Sequence, residues 1–224
     1  MTTKTADPIP FTPYYQDDRC TIYNADCRKV LPFLEPVDLL LTDPPYGIGE
    51  ARKDNASRSC LAQSRDYGSL DWDDAPPPTW FIEQAKELAD LQVLWGGNYY
   101  GLEPASCWLV WDKDNGENDF ADCELAWTNL PRAVRKFKWK WQGMLQERGG
   151  NKKEHRVHPT QKPLPLMVWC LGLVPDAHTI LDPFMGSGTT LVAAKQEGRK
   201  AIGIEINETY CEAAANRLAQ GVLF

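Results

Sequence analysis

Two short stretches carry side chains that could do chemistry together. The first is LLLTDPPYGIG, residues 39–49, where an apolar run ends on an acid, two prolines and a tyrosine. Proline has no backbone N–H and biases the residue before it toward extended backbone, so a strand must stop near Thr42. Asp43, Pro44, Pro45 and Tyr46 are then held rigidly at its carboxyl end. They offer a carboxylate, a carbonyl without flexibility and an aromatic face, a set that can accept hydrogen bonds and stack on a flat ring. Its alternative is a proline-stopped strand with a solvated aspartate. The second stretch is ILDPFMGSGTTLVAA, residues 180–194, with Gly186 and Gly188 between a strand and a helix. Glycines let backbone approach a ligand closely, and a helix start offers unpaired N–H groups to an anionic group. Glu205 ends the next strand, 19 residues after Gly186, where a ribose-binding acid sits in dinucleotide and nucleoside folds. A phosphate-binding P-loop would need Lys after Gly188, and the residue is Thr189; a nicotinamide fingerprint would need glycine at 191, and it is Leu191. A tight turn followed by a surface glutamate is the plain alternative.

The elements that must position these residues read as an alternation of strands and helices. Strands are expected at 37–42, 91–97, 107–113, 123–130, 134–141, 179–182 and 200–206, with helices at 79–90, 164–174, 189–198 and 208–220. In the last helix Cys211, Ala214, Ala215 and Leu218 recur at i, i+3, i+4 and i+7, one buried stripe. The expected fold is α/β: a mixed, mostly parallel seven-stranded sheet with helices on both faces. A single domain over residues 1–224 is expected, with a loose leader at 1–18 and long polar loops at 48–79 and 142–157.

Composition narrows the classes. No apolar run approaches the ~20 residues of a membrane span, and the start has no apolar signal-peptide core. The seven cysteines are scattered and never spaced C-x-x-C, which suits reduced thiols in a cytoplasm rather than a disulfide framework or zinc site. His155 and His158 have no neighbouring cysteine, so no metal is expected. The net charge is −7, yet between Arg132 and Lys162 ten basic residues face only Glu147 and Glu154. One basic segment on an acidic body suggests a contact surface for a polyanion. In VRKFKWKW the period of two puts Lys136, Lys138 and Lys140 on one face and Phe137, Trp139 and Trp141 on the other. With Arg135, and with Arg148, Lys152, Lys153 and Arg156 in the following loop, these are candidate phosphate contacts; a solvated edge over buried aromatics is the alternative.

Asp-Pro-Pro-Tyr at one strand end and Asp182-Pro183-Phe184-x-Gly-x-Gly at another resemble the amino-group DNA methyltransferases, and HPTQKPLPLM just before the glycine strand resembles a third signature of that family. The permuted order, with Asp-Pro-Pro-Tyr upstream of the glycine loop, resembles the beta class. CELAWTNLPRAVRKFKWKWQGM is similar to the small adenine methylases of phages and prophages. The resemblance implies a Rossmann-like methyltransferase fold, S-adenosylmethionine as cofactor, double-stranded DNA as partner and a bacterial or phage-encoded cytoplasmic protein. It implies that Asp43 and the Pro44 carbonyl accept the two hydrogens of an exocyclic base amine, drawing it toward tetrahedral geometry, while Tyr46 stacks on a base flipped out of the duplex. It puts Glu205 on the cofactor ribose, the loop Asp182, Phe184, Gly186, Ser187 and Gly188 around the methionine moiety, and Thr160 and Lys162, with Ser187 or Thr189, on its carboxylate. Asp26 accepts the cofactor's adenine amine or is simply the N-cap of CRKVLPFL; Ile206 packs on the adenine ring or in the core. Aspartate at 43 follows the family's adenine-N6 tendency, since cytosine-N4 enzymes more often carry Ser there. The rivals are a cytosine-N4 or RNA methylase and a catalytically silent binding subunit. The chain lacks the sizeable target-recognition insert of many relatives, so site selection falls to the two loops, to a partner such as a specificity subunit, restriction endonuclease or second copy, or is loose.

Overall fold

The run VDLLLT, residues 37–42, shows how the sheet is built: Leu39 and Leu41 enter one core cluster and Leu40 the other. A strand covered on both faces needs such an unbroken apolar run, and parallel strands joined by helices provide the cover. The structure, a computed structural model, describes residues 9–47, 78–116, 121–142, 145–146 and 161–220. In chain order they form β1 (Tyr15–Gln16), β2 (Cys20–Asn24), α1 (Cys27–Val30), β3 (Val37–Thr42), α2 (Thr79–Glu87), β4 (Ala89–Trp95), β5 (Trp108–Asp112) and β6 (Cys123–Thr128). There follow β7 (Arg135–Lys138), β8 (Trp141–Gln142), β9 (Leu145–Gln146), α3 (Leu164–Gly172), β10 (Thr179–Asp182), α4 (Thr189–Gln196), β11 (Lys200–Glu205) and α5 (Glu208–Ala219).

The main sheet runs β1-β2-β11-β10-β3-β4-β6-β5-β7, with β8 and β9 paired separately. The five strands from β2 to β4 are mutually parallel; β6 is antiparallel to both β4 and β5, and β7 runs parallel to β5. Buried residues of α3, α4 and α5 cover one face, and those of α1 and α2 cover the other. This is the expected α/β architecture. Among the described residues no helix is long and apolar enough to cross a membrane.

Four expectations need correction. The main sheet has nine strands rather than seven, because β1 and β2 join it. CTIYN is short and its partner, β11, lies about 180 residues away (Cys20 opposite Ala201, Asn24 opposite Glu205), so nothing local announces the pairing. Residues 9–18 are not a loose leader: Ile9 and Phe11 pack on the core, the Tyr14 amide donates to the Ile22 carbonyl, and Asp17 accepts from the Tyr15 hydroxyl and Lys195. The segment 134–141 is not one strand, since it divides into β7 and β8, and the start of the expected loop 142–157 lies in the β8–β9 pair. Helix α2 stops at Glu87 and β4 begins at Ala89, because β3 captures the turn through the Val37 amide on the Leu88 carbonyl.

Candidate active site

Parallel strands bring their carboxyl ends to one edge, where ligands of open α/β sheets bind. Asn24, Glu205, Asp182 and Thr42 end β2, β11, β10 and β3 there, with Trp95 ending β4 beside them. Antiparallel β6 reaches the same edge with its start: Trp95 lies opposite Ala126, and Glu124 lies opposite Trp111 of β5. An acid and a base from strands distant in sequence, Glu124 and Lys113, thereby join the tip of β3.

At that tip Asp43 accepts from the Tyr46 hydroxyl on Oδ1 (2.6 Å) and from Lys162 Nζ on Oδ2 (2.5 Å). The same ammonium stands 3.2 Å from the Tyr46 hydroxyl and 3.0 Å from Glu124 Oε2, while Lys113 lies 2.6 Å from Glu124 Oε1. The four charges form a chain, Asp43–Lys162–Glu124–Lys113, and the Lys162 side chain is only 6% exposed. Burial pushes the Asp43 carboxyl above the ordinary carboxylate range, Lys162 opposing it and Glu124 adding to it. Glu124 also feels burial, but its two lysines overcome it and hold the group at about 2. Burial works against the Lys162 charge, and Asp43 and Glu124 more than restore it. A shared cation is what lets two acids stand this close. Sequence reasoning assigned Lys162 to the cofactor's carboxylate; the structure instead directs its amine at Asp43, Tyr46 and Glu124.

The glycine loop is organised from beneath by Asp182, which is 3% exposed. Its Oδ1 accepts from Thr42 Oγ1 (2.8 Å) and the Phe184 amide (3.2 Å), and Thr190 supplies a further side-chain bond. Burial lifts it to about 6 against these donors. Asp182 therefore points inward and fastens β3, the loop and α4 together. Gly188 takes φ +76° and lies so close to α5 that a Cβ there would stand 2.7 Å from Ala214 Cβ. Ser187 and Thr189 are nearly buried and both receive Arg217 of α5, at 3.2 and 3.1 Å; Ser187 also donates to Gln161. Glu205 is only partly covered, and its oxygens accept from the Gly186 and Asn207 amides at 3.1 and 2.8 Å. Those bonds aim the carboxylate and leave each oxygen a second lone pair. Burial lifts it to about 6. Ile206 beside it is 68% exposed, so it is not a core residue. Phe184 packs edge-on against Phe81 at 5.3 Å. Asp26 caps α1 by accepting the Arg28 amide (3.0 Å) and also pairs with the Arg28 side chain. An aimed acid, an exposed apolar side chain and a close-approach glycine loop together suit a nucleoside with a polar tail.

The basic candidates divide. Lys136 and Lys138 are exposed on β7 but pair with Asp112 (3.2 Å) and Asp114 (2.9 Å). Arg135 is exposed and Lys140 half-buried, while Phe137 and Trp139 stack beneath them, Phe137 on Trp169 as well. Thr160, Arg148, Lys152, Lys153 and Arg156 lie outside the described residues, as do 48–77 of the first loop and 147–157 of the second. Sequence reasoning missed Glu124, Lys113, Gln161 and Arg217. An acid within the apolar run CELAW was the available sign for Glu124.

A family profile described as DNA methylase matches residues 111–216. The Type II methyltransferase M2.LlaDCHI of Lactococcus lactis subsp. cremoris is 26% identical, covering 95% of this chain and 94% of its own. The Type II methyltransferase M.ScaI of Streptomyces caespitosus is 25% identical, covering 92% and 83%. The chain is thus similar to amino-group DNA methyltransferases over nearly its whole length. The fold agrees: the M1.HpyAVI–SAM complex superposes with a TM-score of 0.56 at 24% identity, covering 88% of this chain and 99% of that one. The cytosine-N4-specific PvuII DNA methyltransferase does so with 0.57 at 18%, covering 94% and 90%.

The charge chain makes a stability prediction. Lys162→Met leaves Asp43 and Glu124 without their shared cation, and removing one partner of a buried pair costs about 3–5 kcal/mol. Both carboxyls would then titrate higher folded than unfolded, so folding would take up protons and the deficit should shrink as pH falls from 7 toward 5. Denaturant melts of both proteins at the two pH values check this; equal stability at pH 7 would deny the cluster any net attraction.

Proposed function

We propose that this protein transfers a methyl group from S-adenosylmethionine to the exocyclic N6 amine of adenine in double-stranded DNA. The observation that carries the reading is the tip of β3: a carboxylate, a proline carbonyl and an aromatic ring, bonded through Thr42 and Asp182 to a glycine loop that faces an aimed acid. An exocyclic amine is a poor nucleophile because its lone pair is delocalised into the ring. Asp43 and the Pro44 carbonyl would each accept one of its hydrogens, localising that pair, and the burial that raises Asp43 suits it to take the proton the amine must shed. S-adenosylmethionine, when bound, supplies the electrophilic methyl. Glu205 would take its ribose hydroxyls, Ile206 its adenine face, and the segment from Asp182 to Gly188 its methionine end. Asp26, both of whose oxygens accept from Arg28, would have to release the Arg28 side chain to take the adenine amine. Lys162 is better assigned to the base side, where it balances Asp43.

A stacked base cannot reach this tip, so the target must be rotated out, with Tyr46 as its stacking surface. Aspartate at 43 supports adenine by the family's tendency. Similarity to proteins described as Type II methyltransferases supports a modification role beside a restriction partner. The lysines of β7 and the basic residues of 148–156 would meet phosphates; exposed ion pairs such as Lys138–Asp114 are worth at most about 1 kcal/mol and yield readily.

Three measurements test the reading. Asp43→Ala should lower methyl transfer to plasmid DNA by about 10²–10³-fold, while calorimetry finds cofactor affinity within a few-fold of wild type; turnover above roughly a tenth of wild type would remove Asp43 from the chemistry. Product digestion to nucleosides distinguishes N6-methyladenine from N4-methylcytosine, and only the former supports the finer assignment.

Ribose hydroxyls donate to an ionised carboxylate, and Glu205 titrates at about 6. Cofactor affinity should therefore be constant above neutral pH and weaken as pH falls below about 6, since binding must then expel a proton. Glu205→Gln should lose roughly ten- to a hundredfold in affinity and lose that pH dependence too. A wild-type dissociation constant unchanged from pH 8 to 5 would return Glu205 to a purely structural part.

Each phosphate neutralised on duplex DNA contributes about 0.9 to the slope of log affinity against log salt. Lys138→Gln with Lys140→Gln should thus reduce the slope's magnitude by nearly two, equally for all sequences, with cofactor binding untouched. An unaltered slope would move the DNA surface away from β7.

A further inference from the structure

The stretch WGGNYYG, residues 95–101, entered the sequence analysis only as the end of a strand. Folded, it is a turn at the carboxyl end of β4, directly beside the tip of β3, with Thr42 opposite Leu94. Its anchor is the Gly96 amide on the Leu125 carbonyl of β6 at 2.8 Å. Gly96 takes φ +71°, and a Cβ there would stand 2.1 Å from Tyr46 Cε1, so only glycine lets the ring lie against this backbone. Three residues on, Tyr99 stacks on Tyr46 with centroids 5.0 Å apart and planes 21° from parallel, yet stays 48% exposed. The Tyr100 hydroxyl lies 3.0 Å from the Pro44 carbonyl oxygen and 3.1 Å from that of Pro45.

We propose that Tyr99 and Tyr100 form the second wall of the target-base site, Tyr100 as the positioning residue for the Pro44 carbonyl and Tyr99 as the backing of the Tyr46 ring. This rests on the amino-group methylation reading above. The reason lies in the prolines. Pro45 has no N–H, so the peptide plane that carries the Pro44 oxygen has no backbone donor to tie it down. A hydroxyl shared between the two carbonyls turns both oxygens toward one point. It consumes one lone pair on Pro44 and leaves the second for a base hydrogen. Tyr46 is treated likewise: Asp43 and Lys162 hold its hydroxyl and Tyr99 stacks on one face of its ring, so a base would take the other. The acceptor pair and the stacking surface are therefore set before substrate arrives, which is where enzymes gain most from preorganisation. Because Tyr99 is half exposed at the mouth of this site, the nucleobase adjoining the target is the chemical group it would meet first.

The test is kinetic. Tyr100→Phe removes one hydroxyl and keeps the ring. It should lower kcat by at least tenfold, since misplacing a catalytic group by about 1 Å can cost up to ~10²-fold, while the KM for DNA and the calorimetric Kd for S-adenosylmethionine stay within about twofold. Tyr99→Ala should weaken DNA binding and the stacking of a flipped 2-aminopurine at the target position, and Tyr99→Phe should recover most of that loss. Values of kcat are taken per folded enzyme, from melts of each variant. A Tyr100→Phe enzyme with wild-type kcat overturns the Tyr100 assignment, and so does a loss that follows the folded fraction alone. A Tyr99→Ala enzyme with unaltered 2-aminopurine signal overturns the Tyr99 assignment. If the wild-type protein methylates no base amine, the functional reading itself has failed; if it does and Asp43→Ala is dead while both tyrosine variants are normal, only the second wall has failed.

Discussion

One buried carboxylate holds the two halves of the chemistry together. Asp182 sits at the end of β10, 3% exposed, and binds the Thr42 hydroxyl on one side and the Phe184 amide on the other. Burying an acid is costly, and it is tolerated because donors satisfy its oxygens. In return the last residue of β3 is fixed relative to the first turn of the glycine loop. Asp43 follows Thr42 directly, and Gly186 follows Phe184 by two residues, so any slack in Asp182 would separate the tip of β3 from the glycine loop. On the proposed function that separation would set how the reacting groups approach, and small misplacements of reacting groups are costly.

The second constraint is charge. Four charged side chains stand in a row from Asp43 to Lys113, formally neutral as a whole, with the acid Asp43 at the end beside the tip of β3. As methyl transfer proceeds, positive charge grows on the amine, and a carboxylate fully neutralised by its own lysine would stabilise it poorly. The Lys162 ammonium stands 2.5 Å from Asp43 and 3.0 Å from Glu124, so its charge is divided between the two acids. Lys113 in turn keeps Glu124 ionised. The site thus carries a pair of acids close together, Glu124 held below the ordinary carboxylate range and Asp43 lifted above it.

How much of this was written in the sequence follows from the range of the interactions involved. Asp43-Pro-Pro-Tyr46 and the loop from Asp182 to Gly188 were legible because proline and glycine act on their own backbone, and Glu205 because one βα unit fixes its distance from the loop. The α/β class was legible from runs such as VDLLLT. Strand β2 was not, since CTIYN becomes a strand only against β11. Glu124 and Lys113 were hidden for the same reason: the register of β6 against β4 and β5, not any neighbour in the chain, puts them at the site. Lys162 was found, but its contacts with Asp43 and Glu124 were not foreseen. A lysine's long stem reaches either side of a strand tip, and only the positions of Asp43 and Glu124 decide which. Tyr99 and Tyr100 were present in plain view in GGNYYG, where two glycines read as punctuation and drew notice away from the rings.

At the far side of the sheet β7 is the last strand among the described residues. An exposed outermost strand is a template on which another chain's strand can assemble, and such edges seed aggregates. Here the alternation of charge along β7, Lys136 and Lys138 with Asp112 and Asp114 beside them, makes that edge a poor host for an apolar strand. The same row still suits a polymer that is uniformly anionic. One feature would then serve two ends in the crowded cell, discouraging self-association of the enzyme while leaving it attractive to a nucleic acid.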